Sequence, residues 1–329
     1  MTALRLNLTL AVLLLGAGAA SLFLGDARLG MADLVGALRG SEELGALILR
    51  ELRLPRVVLG TLVGAGLGGA GAVLQGFFRN PLADPGIVGV SASAGLGAVS
   101  ALYFGLSASF VLALPVSGVA GAGLGVALLF LIAGRGASAT TLILAGVAVN
   151  AMAGALTALL MNLSPNPWAL AEIAYWLMGS LEDASWNEVV FAAPLILPGL
   201  LLLGLTGRGL DTLSLGEETA RSLGTDLARL RITVIGATAL AVGAGVAVSG
   251  AIGFVGLGIP HLLRPLVDYR PARLILPSML GGALLLTVAD LETRLISGPG
   301  MPLYLGVLTA LLGAPFFLWL VRSSQRRTP

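Results

Sequence analysis

Apolar runs of about 20 residues recur along the chain, and short segments between them hold most of the charged residues. A helix of that length crosses the hydrocarbon core of a bilayer, which is roughly 30 Å thick. Because only helices and closed barrels satisfy their backbone hydrogen bonds in lipid, the pattern predicts an all-α integral membrane protein with about ten transmembrane helices. The predicted spans are residues 6–24, 55–77, 86–106, 109–133, 139–162, 187–206, 230–250, 251–267, 271–294 and 303–321.

The spans follow one another closely, so the sequence predicts one transmembrane domain over residues 1–329. The first run is longer than the 7–15 residues typical of the apolar region of a signal peptide. We therefore expect this span to be retained and not cleaved. With an even number of spans, both termini lie on the same side of the membrane.

Arginine positions predict which side that is. Arginine is concentrated in cytoplasmic loops of membrane proteins. If the N-terminus is cytoplasmic, most of the 19 basic residues fall on the inner side, namely Arg5, Arg79, Arg135, Arg208, Arg221, Arg229, Arg231, Arg264, Arg270, Arg273, Arg322, Arg326 and Arg327. We therefore expect both termini to be cytoplasmic.

Composition excludes several functions. Hydrophobic residues make up 57% of the chain and charged residues only 11%, against about 25% charged in soluble domains. All basic residues are arginine, so a lysine-containing phosphate-binding loop and Schiff-base chemistry are excluded. Without cysteine there is no thiolate metal site or thiol nucleophile. The net charge of +2 and the scattered arginines argue against nucleic acid as a partner.

The second span carries small residues at every fourth position: Gly60, Gly64 and Gly68, followed by Ala72. Such a stripe lets another helix approach closely in lipid, where dispersion contacts replace the hydrophobic driving force. We interpret it as a helix-packing face. The other interpretation is a smooth wall of a transport path.

A corner with two prolines follows this span, in the segment QGFFRNPLADPGIVGVSASAG over residues 75–95. Asn80 precedes Pro81, which disfavours helix and ends the second span. Asp84 precedes Pro85, a combination typical of an N-cap followed by proline at the first helical position. The sequence therefore predicts a rigid turn that starts the third span.

The longest polar stretch on the predicted cytoplasmic side covers residues 210–231. Ser214 and Glu217 have the spacing of a capping box, and Glu217 and Arg221 form an i,i+4 pair. Gly224 can end the helix in a left-handed conformation, and Thr225 can cap a second helix. We predict two short helices over about 210–229 that form a docking surface, with a solvated connector as the alternative.

The only histidine, His261, lies in a motif with Pro260 and Arg264. A lone histidine without cysteine builds no metal site, and the chain has no serine motif for it to activate. We expect Pro260 to interrupt the helix there, and the two basic side chains to satisfy helix-end carbonyls or the inner rim. The sequence thus contains no candidate catalytic or metal-ligating residue.

Three arginines, Arg53, Arg56 and Arg294, lie at the outer ends of predicted spans. They are candidates either for interfacial anchors or for bidentate pairs with carboxylates of a partner.

Five motifs, in order, resemble the permease subunits of type II ATP-binding-cassette importers, the iron-chelate and cobalamin uptake family. They are RLPRVVLGTLVGAGLGGAGAVLQGFFRNPLADPGIVGVS, YWLMGSLEDASW, SLGEETARSLG, GAIGFVGLGIPHLLR and LTALLGAPFFLWL. The resemblance covers the chain from about Arg53 to Arg322. It departs from the family at the start of the tenth span, where Pro302 and Tyr304 replace the glutamate and proline of a Glu-x-Pro-x-Gly signature.

The resemblance implies a homodimer of ten-helix subunits in the bacterial inner membrane. It also implies two partners: a pair of ATPase subunits and an extracytoplasmic substrate-binding protein. The resemblance implies that ATP and Mg²⁺ bind to the ATPase subunits and that this chain binds no cofactor. Arg53, Arg56 and Arg294 match positions that receive acidic residues of the binding protein. The matching residues for ATPase coupling are Ser214, Leu215, Gly216, Glu217, Ala220, Arg221, Leu223 and Gly224.

The resemblance therefore implies a transport subunit that is not an enzyme and that passes a ferric siderophore or haem. Cobalamin is the alternative cargo within the same family. A transporter driven by an ion gradient is disfavoured because the spans are nearly free of ionisable residues at mid-depth. An intramembrane enzyme is disfavoured by the single histidine and the absence of paired carboxylates within a span.

Overall fold

A computed structural model of the chain describes residues 3–25, 27, 29–108, 110–134, 136–297 and 302–325, without the side chains of 319–321 and 323–325. Arg135, Arg326 and Arg327, which contribute to the predicted orientation, lie outside these ranges. Within them, all regular secondary structure is helical, which confirms the all-α prediction. The helices are α1 Ala3–Phe23, α2 Met31–Leu38, α3 Leu44–Leu47, α4 Leu54–Phe77, α5 Val90–Tyr103, α6 Ala113–Ala133, α7 Ala139–Asn162, α8 Pro167–Leu177, α9 Trp186–Leu205, α10 Gly207–Leu213, α11 Glu217–Ser222, α12 Leu227–Thr238, α13 Ala244–Ser249, α14 Val255–Leu263, α15 Pro271–Ile296 and α16 Leu305–Gln325.

In the described part of the chain, seven helical stretches are long and apolar enough to cross a membrane, and three shorter apolar helices accompany them. Three predicted spans are shorter in the structure, and the fourth of the ten begins at Ala113 and not at 109. The third begins at Val90 and not at 86, because a 3-10 turn over Pro85–Val88 comes first. The eighth begins at Val255 and not at 251, because Gly250 and Phe254 both take positive φ angles that end one helix and delay the next.

Helix α4 lies at the centre of the bundle. About 78% of the most apolar stretch of this helix is buried inside the protein, against 17–28% for the most apolar stretches of α1, α6, α7 and α9. Its neighbours are α15, α9, α14 and α12. The small residues of α4 therefore face other helices, while α1, α6, α7 and α9 leave broad apolar faces for lipid or a partner chain.

The small-residue stripe packs mainly against α15. A Cβ atom at Gly68 would collide with the carbonyl oxygen of Ser278, and one at Gly64 with that of Gly282. Gly60, one turn earlier, faces the side chain of Leu181. The structure thus places this face in a helix contact at backbone distance and not on the wall of a path.

The first helix packs against α15 along its length. Leu6 and Leu10 are buried in a cluster with Ala72 and Leu274. In this arrangement α1 forms part of the packed domain, and its retention stays a prediction.

The corner after α4 is ordered by local hydrogen bonds. Arg79 has a positive φ of 51°, and the Asn80 N–H donates to the Gln75 carbonyl at 3.1 Å, which ends α4. The Asp84 carboxylate accepts from the Gly86 N–H at 2.9 Å, with Pro85 in the first helical position. Asp84 therefore caps the 3-10 turn and not α5 itself, which is where the predicted cap is wrong.

Helix α8 is an element that the predicted spans omit. Asn166 caps it by accepting from the Ala169 N–H at 2.9 Å, and Pro167 occupies its first position. Its 11 residues are too few to cross a membrane, so it does not match the length expected of a transmembrane span. One of its residues, Ile173, is fully buried, whereas Trp168 is 85% exposed.

Candidate functional site

The polar segment between α9 and α12 folds into two short helices, α10 and α11. Helix α11 begins after Gly216, whose φ of 106° reverses the chain direction. Ser214 ends α10, and its hydroxyl donates to the Asp211 carbonyl at 2.6 Å, so the predicted capping box of Ser214 and Glu217 is wrong. Because the Ser214 hydroxyl is hydrogen-bonded to the last turn of α10, it does not cap α11.

The end of α11 follows the predicted geometry. Gly224 has a φ of 84°, its N–H donates to the Arg221 carbonyl, and the Thr225 N–H donates to the Ala220 carbonyl, both at 2.9 Å. The cap of α12 is Asp226, which accepts from the Arg229 N–H at 3.0 Å, and not Thr225 as predicted. The Thr225 hydroxyl lies 2.7 Å from that of Thr212 and joins α10 to this turn.

Two polar contacts, both made by Asp211, add to the buried leucines Leu210 and Leu213 that attach α10 to the bundle. Asp211 accepts a hydrogen bond from the Ala272 N–H at 2.9 Å, in the first turn of α15. The Asp211 carboxylate also lies 3.6 Å from the Arg270 guanidinium. Because α15 packs along α4, the Asp211 carboxylate connects the segment, through α15, to the central helix α4.

The outer side of this segment is a mixed apolar and charged surface. Leu215 and Leu223 are 64% and 60% exposed, while Ala220 is completely buried. Between the leucines, Glu217 and Arg221 form an exposed i,i+4 ion pair at 3.8 Å. We call the surface formed by Leu215, Glu217, Arg221 and Leu223 the loop surface. Exposed apolar side chains grouped with polar ones mark candidate sites for contact with another protein or with the membrane surface.

Buried polar groups meet at the C-terminal end of α4 around Gln75. Its side-chain amide donates to the carbonyls of Gly256 and Leu257, both at 3.3 Å, and its oxygen accepts from Arg264 at 2.5 Å. Pro260 has no N–H, so the Gly256 carbonyl lacks its usual helical donor, and Gln75 replaces it. Helix α14 therefore continues through Pro260, and the predicted interruption is wrong.

Among the described residues, neither Arg264 nor His261 binds a helix-end carbonyl, so that part of the prediction is wrong, and their place at the inner rim stays a prediction. Arg264 donates to Gln75, and the His261 ring packs edge-on against Phe316 with centroids 6.3 Å apart. Within the described residues, His261 Nδ1 has no hydrogen-bond partner. Burial raises the pKa of the nearby Asp84 carboxyl above its usual value, and the hydrogen bond from the Gly86 N–H offsets only part of this increase.

We expect Gln75→Leu to destabilise the chain by about 1–3 kcal/mol, because the Gly256 carbonyl and the Arg264 guanidinium would both lose a buried partner. Thermal unfolding in detergent measures this change. Asn150→Leu, on the exposed face of α7, is the matched control and should stay within about 0.5 kcal/mol of the parent chain. Equal unfolding temperatures for both variants would contradict the role given to Gln75.

The three outer arginines have partners within the chain and do not lie on an open surface. Arg53 is 7% exposed and donates to the carbonyls of Leu22 and Ala27, at 2.7 and 2.9 Å. Arg56 pairs with Asp290 at 2.8 Å. The prediction that they receive a partner's carboxylates is therefore not supported by their exposure.

Arg294 completes this outer cluster. Its guanidinium lies 3.5 Å from the Asp290 carboxylate and donates to the Ser21 hydroxyl and carbonyl. The Asp290 side chain is only 4% exposed, so the two arginines share one buried anion. The cluster joins the ends of α1, α4 and α15.

A cavity of about 490 Å³ opens near α8, and sequence analysis did not predict it. Four carboxylates line it, Glu172, Glu182, Asp183 and Glu188, together with aromatic residues. Tyr304, at the position where the sequence departs from the resembled family, stacks on Tyr175 with ring centroids 5.7 Å apart and planes 12° apart. Only the tertiary fold brings α8, α9 and Tyr304 together.

Comparison with known proteins gives consistent matches. Residues 12–323 match the model of the FecCD transport family. The cobalamin import system permease protein BtuC of Halobacterium salinarum is 39% identical over 292 residues, covering 88% of this chain and 77% of that protein. The hemin transport system permease protein HmuU of Yersinia pestis is 39% identical over 284 residues, covering 84% of each chain.

The fold also matches a solved structure. A metal-chelate type ABC transporter in an inward-facing conformation superposes with a TM-score of 0.85 and is 34% identical. The match covers 98% of this chain and 99% of the other. Similarity at this level extends to the whole arrangement of helices.

Proposed function

This chain belongs to the FecCD transport family and is the permease of a type II ABC importer, and we propose that it passes an iron chelate, a ferric siderophore or haem, across the bacterial inner membrane. It is a multi-span membrane protein and a transport subunit, so its task is to change conformation around a cargo and not to catalyse a reaction. In the proposal, two copies of the chain enclose the path, and both termini are cytoplasmic.

The observation that carries the proposal is the loop surface and its attachment. Its leucines and its ion pair are exposed, while Asp211 ties the same segment to α15. A partner that pulls on this surface therefore moves an element packed against the central helix. In the proposal the partner is a separate ATPase subunit that binds ATP and Mg²⁺, because a chain without lysine has no phosphate-binding loop of the usual type.

Nucleotide binding on the partner can drive the cycle by shifting a two-state equilibrium. A change from 1:99 to 99:1 between inward- and outward-facing states needs about 5.5 kcal/mol of differential binding. The substrate-binding protein delivers the cargo on the opposite side. Since the outer arginines are engaged within the chain, contact with that protein requires either their release or other outer residues.

Cobalamin is the second candidate cargo. It is supported as well as the hemin cargo is by one observation: a relative named for cobalamin and one named for hemin are each 39% identical to this chain. Uptake into proteoliposomes that contain the permease, its ATPase and its binding protein distinguishes the two. Uptake of ferric siderophore or haem supports the proposal, and uptake of cobalamin alone overturns its cargo.

We expect Glu217→Arg to abolish co-purification of the ATPase without unfolding the permease. The exposed pair with Arg221 contributes little stability, about 0.3–0.5 kcal/mol for an i,i+4 pair, but the variant places two positive charges in the loop surface. The experiment co-expresses this chain with the neighbouring ATPase and binding-protein genes and determines the mass of the solubilised complex.

Two copies of this chain with two ATPase subunits in the parent complex, and loss of the ATPase only in Glu217→Arg, support the assignment. Glu43→Arg, which reverses an exposed charge outside the loop surface, is the matched control and should retain the ATPase. A particle that retains the ATPase in the Glu217→Arg variant would overturn the coupling role of this surface.

A further inference from the structure

We propose that a groove between α6, α9 and α12 binds an anionic phospholipid, with one acyl chain in the groove and the phosphate on Arg208 and Arg229. The groove has a volume of about 490 Å³, and apart from Thr233 every described residue that lines it is apolar or glycine. Along α12 and the π-helical turn that follows it, the lining runs from Ile232 to Leu240, a length of about 12 Å. This inference goes beyond the proposed transport function.

The three walls of the groove are held together by close helix contacts. A Cβ atom at Gly199 on α9 would lie 2.8 Å from the backbone nitrogen of Ala241, in the π-helical turn. One at Gly243, in the same turn, would lie 2.6 Å from the Cβ of Ala122 on α6. Because contacts this close leave no space between the helices, the walls are fixed relative to one another and the groove has a defined width.

Two glycines widen the groove. Gly123 on α6 and Gly236 on α12 both line it, and a Cβ at either position would have no atom within 4 Å. Elsewhere on α6, a Cβ at Gly121 or Gly125 would lie 2.2 Å from an oxygen of Ser93 on α5. Helix packing thus requires glycine at 121 and 125 but not at 123 and 236, where the small residues leave room for a hydrocarbon chain.

Two arginines lie at the end of the groove where α9 ends and α12 begins. Arg229 precedes Ile232 by three positions, so it continues the groove face of α12 by one turn. Arg208 lies in the first turn of α10, directly after α9. A Cβ at Gly209 would lie 3.0 Å from the Leu230 side chain, so the two arginines come from neighbouring turns of the chain.

Both guanidinium groups are exposed, and within the described residues neither forms an ion pair. The carboxylates closest to them in the sequence have other partners. Asp226 caps α12 by accepting from a backbone N–H at 3.0 Å, and Asp211 lies 3.6 Å from the Arg270 guanidinium. Arg231 adds a third positive charge, and its buried Nε has no hydrogen-bond partner in the part of the chain that the structure describes.

The site therefore suits a ligand with an apolar chain and an anionic head at one end. Guanidinium groups bind phosphate in bidentate geometry, and basic sites between membrane helices bind anionic headgroups. A soluble phosphate would leave the apolar groove unfilled, and a neutral lipid would leave the arginines without a counter-charge. A phospholipid with net negative charge satisfies both parts. In the proposed orientation it comes from the inner leaflet and connects the two helices that flank the α10–α11 segment.

The test uses the full-length chain in detergent, without ATPase or binding protein. Titration with dioleoyl phosphatidylglycerol or dioleoyl phosphatidylcholine, followed by native mass spectrometry, measures the apparent Kd of the first bound lipid. The acyl chains are identical, so a difference reports on headgroup charge. We expect phosphatidylglycerol to bind at least about tenfold more tightly. This preference should shrink in about 0.5 M ammonium acetate, where charges are screened.

The double variant Arg208→Gln, Arg229→Gln should lose the preference for phosphatidylglycerol and keep the elution profile of the folded chain, because both side chains are exposed. Arg5→Gln with Arg39→Gln removes two exposed arginines outside the groove lining and is the matched control. It carries the same change in net charge and should retain the preference.

Gly236→Leu tests the groove independently of the arginines. The leucine side chain should occupy the space of the acyl chain and weaken phosphatidylglycerol binding at least about tenfold, without unfolding, since leucine is a better helix former than glycine. Gly204→Leu on α9 is the matched control, because its Cβ also has no atom within 4 Å but it lies outside the groove lining. It should bind lipid like the parent chain.

Equal affinities for the two lipids, a preference that persists in the double arginine variant, or unchanged binding in Gly236→Leu would overturn the proposal. So would competition by glycerol 3-phosphate, because an anion without acyl chains would then be sufficient. A changed number of chain copies in Gly236→Leu with lipid binding intact would also overturn it, because the groove would then be a contact between two copies. Failure of the proposed transport function gives a different result, since lipid binding is measured without cargo, ATPase or binding protein.

Discussion

Gly68→Ala is expected to destabilise the chain by about 1–3 kcal/mol, the usual cost of forcing extra volume into a packed interior. The added Cβ would overlap the carbonyl oxygen of Ser278 on α15, and backbone cannot move aside as a flexible side chain can. Combining Gly64→Ala with it should cost more, because the second Cβ meets the carbonyl of Gly282 on the same neighbour. Thermal unfolding in detergent, followed by tryptophan fluorescence, measures both.

The sign of this effect makes the prediction specific. Glycine to alanine in a helix interior is favourable by up to about 1 kcal/mol when space allows, since alanine is the better helix former. Gly154→Ala, in the middle of α7 with no atom within 4 Å of the added Cβ, is therefore the matched control and should be neutral or stabilising. If Gly68→Ala unfolded at the same temperature as Gly154→Ala, the close contact between α4 and α15 would be wrong.

The same stripe shows what the sequence can predict. A four-residue spacing of small residues places them on one helix face, so a packing face on α4 could be predicted from local geometry alone. The identity of the neighbour could not. Ser278 and Gly282 lie more than 200 positions further along the chain, and no local pattern links them to Gly64 and Gly68.

Local reasoning about the polar segment was only partly successful. The positive φ of Gly224 and the Glu217–Arg221 pair depend on nearby residues, and both are present. Helix α11 begins after Gly216, although the spacing of Ser214 and Glu217 predicts a serine cap. The Ser214 hydroxyl instead donates to the Asp211 carbonyl within α10, and the Asp211 carboxylate accepts from the start of α15, a contact that no local pattern predicts.

The partners of Arg53, Arg56 and Arg294 within the chain could not be predicted, for a related reason, and their docking role stays a prediction. Their positions near the ends of spans were correct, but exposure depends on what lies opposite. Asp290 is 234 residues from Arg56 and appeared in the sequence as one acidic residue near the end of a span. Similarly, the cavity beside α8 could not be predicted, because α8 is too short to be predicted as a span and because Tyr304, which stacks on Tyr175 of α8, is distant in sequence.

Asp290→Ala is expected to be severely destabilising, by about 3–5 kcal/mol, the cost of removing one partner from a buried ion pair. Asp290 is 3% exposed and lies between the guanidinium groups of Arg56 and Arg294, whose side chains are both 14% exposed. Without the carboxylate, two buried positive charges would face each other. Asp290→Asn preserves the volume but not the charge and should show most of the loss, which separates charge from packing.

Glu292→Ala is the matched control, because this carboxylate lies two residues away on the same helix and is exposed. It should stay within about 0.5 kcal/mol of the parent chain. Thermal unfolding in detergent and affinity for the binding protein together distinguish the two roles of the arginines. If they form a docking surface, Asp290→Ala would release them and strengthen binding with little loss of stability. If they hold α1, α4 and α15 together, stability falls first, and any loss of binding follows from the loosened outer end of the bundle.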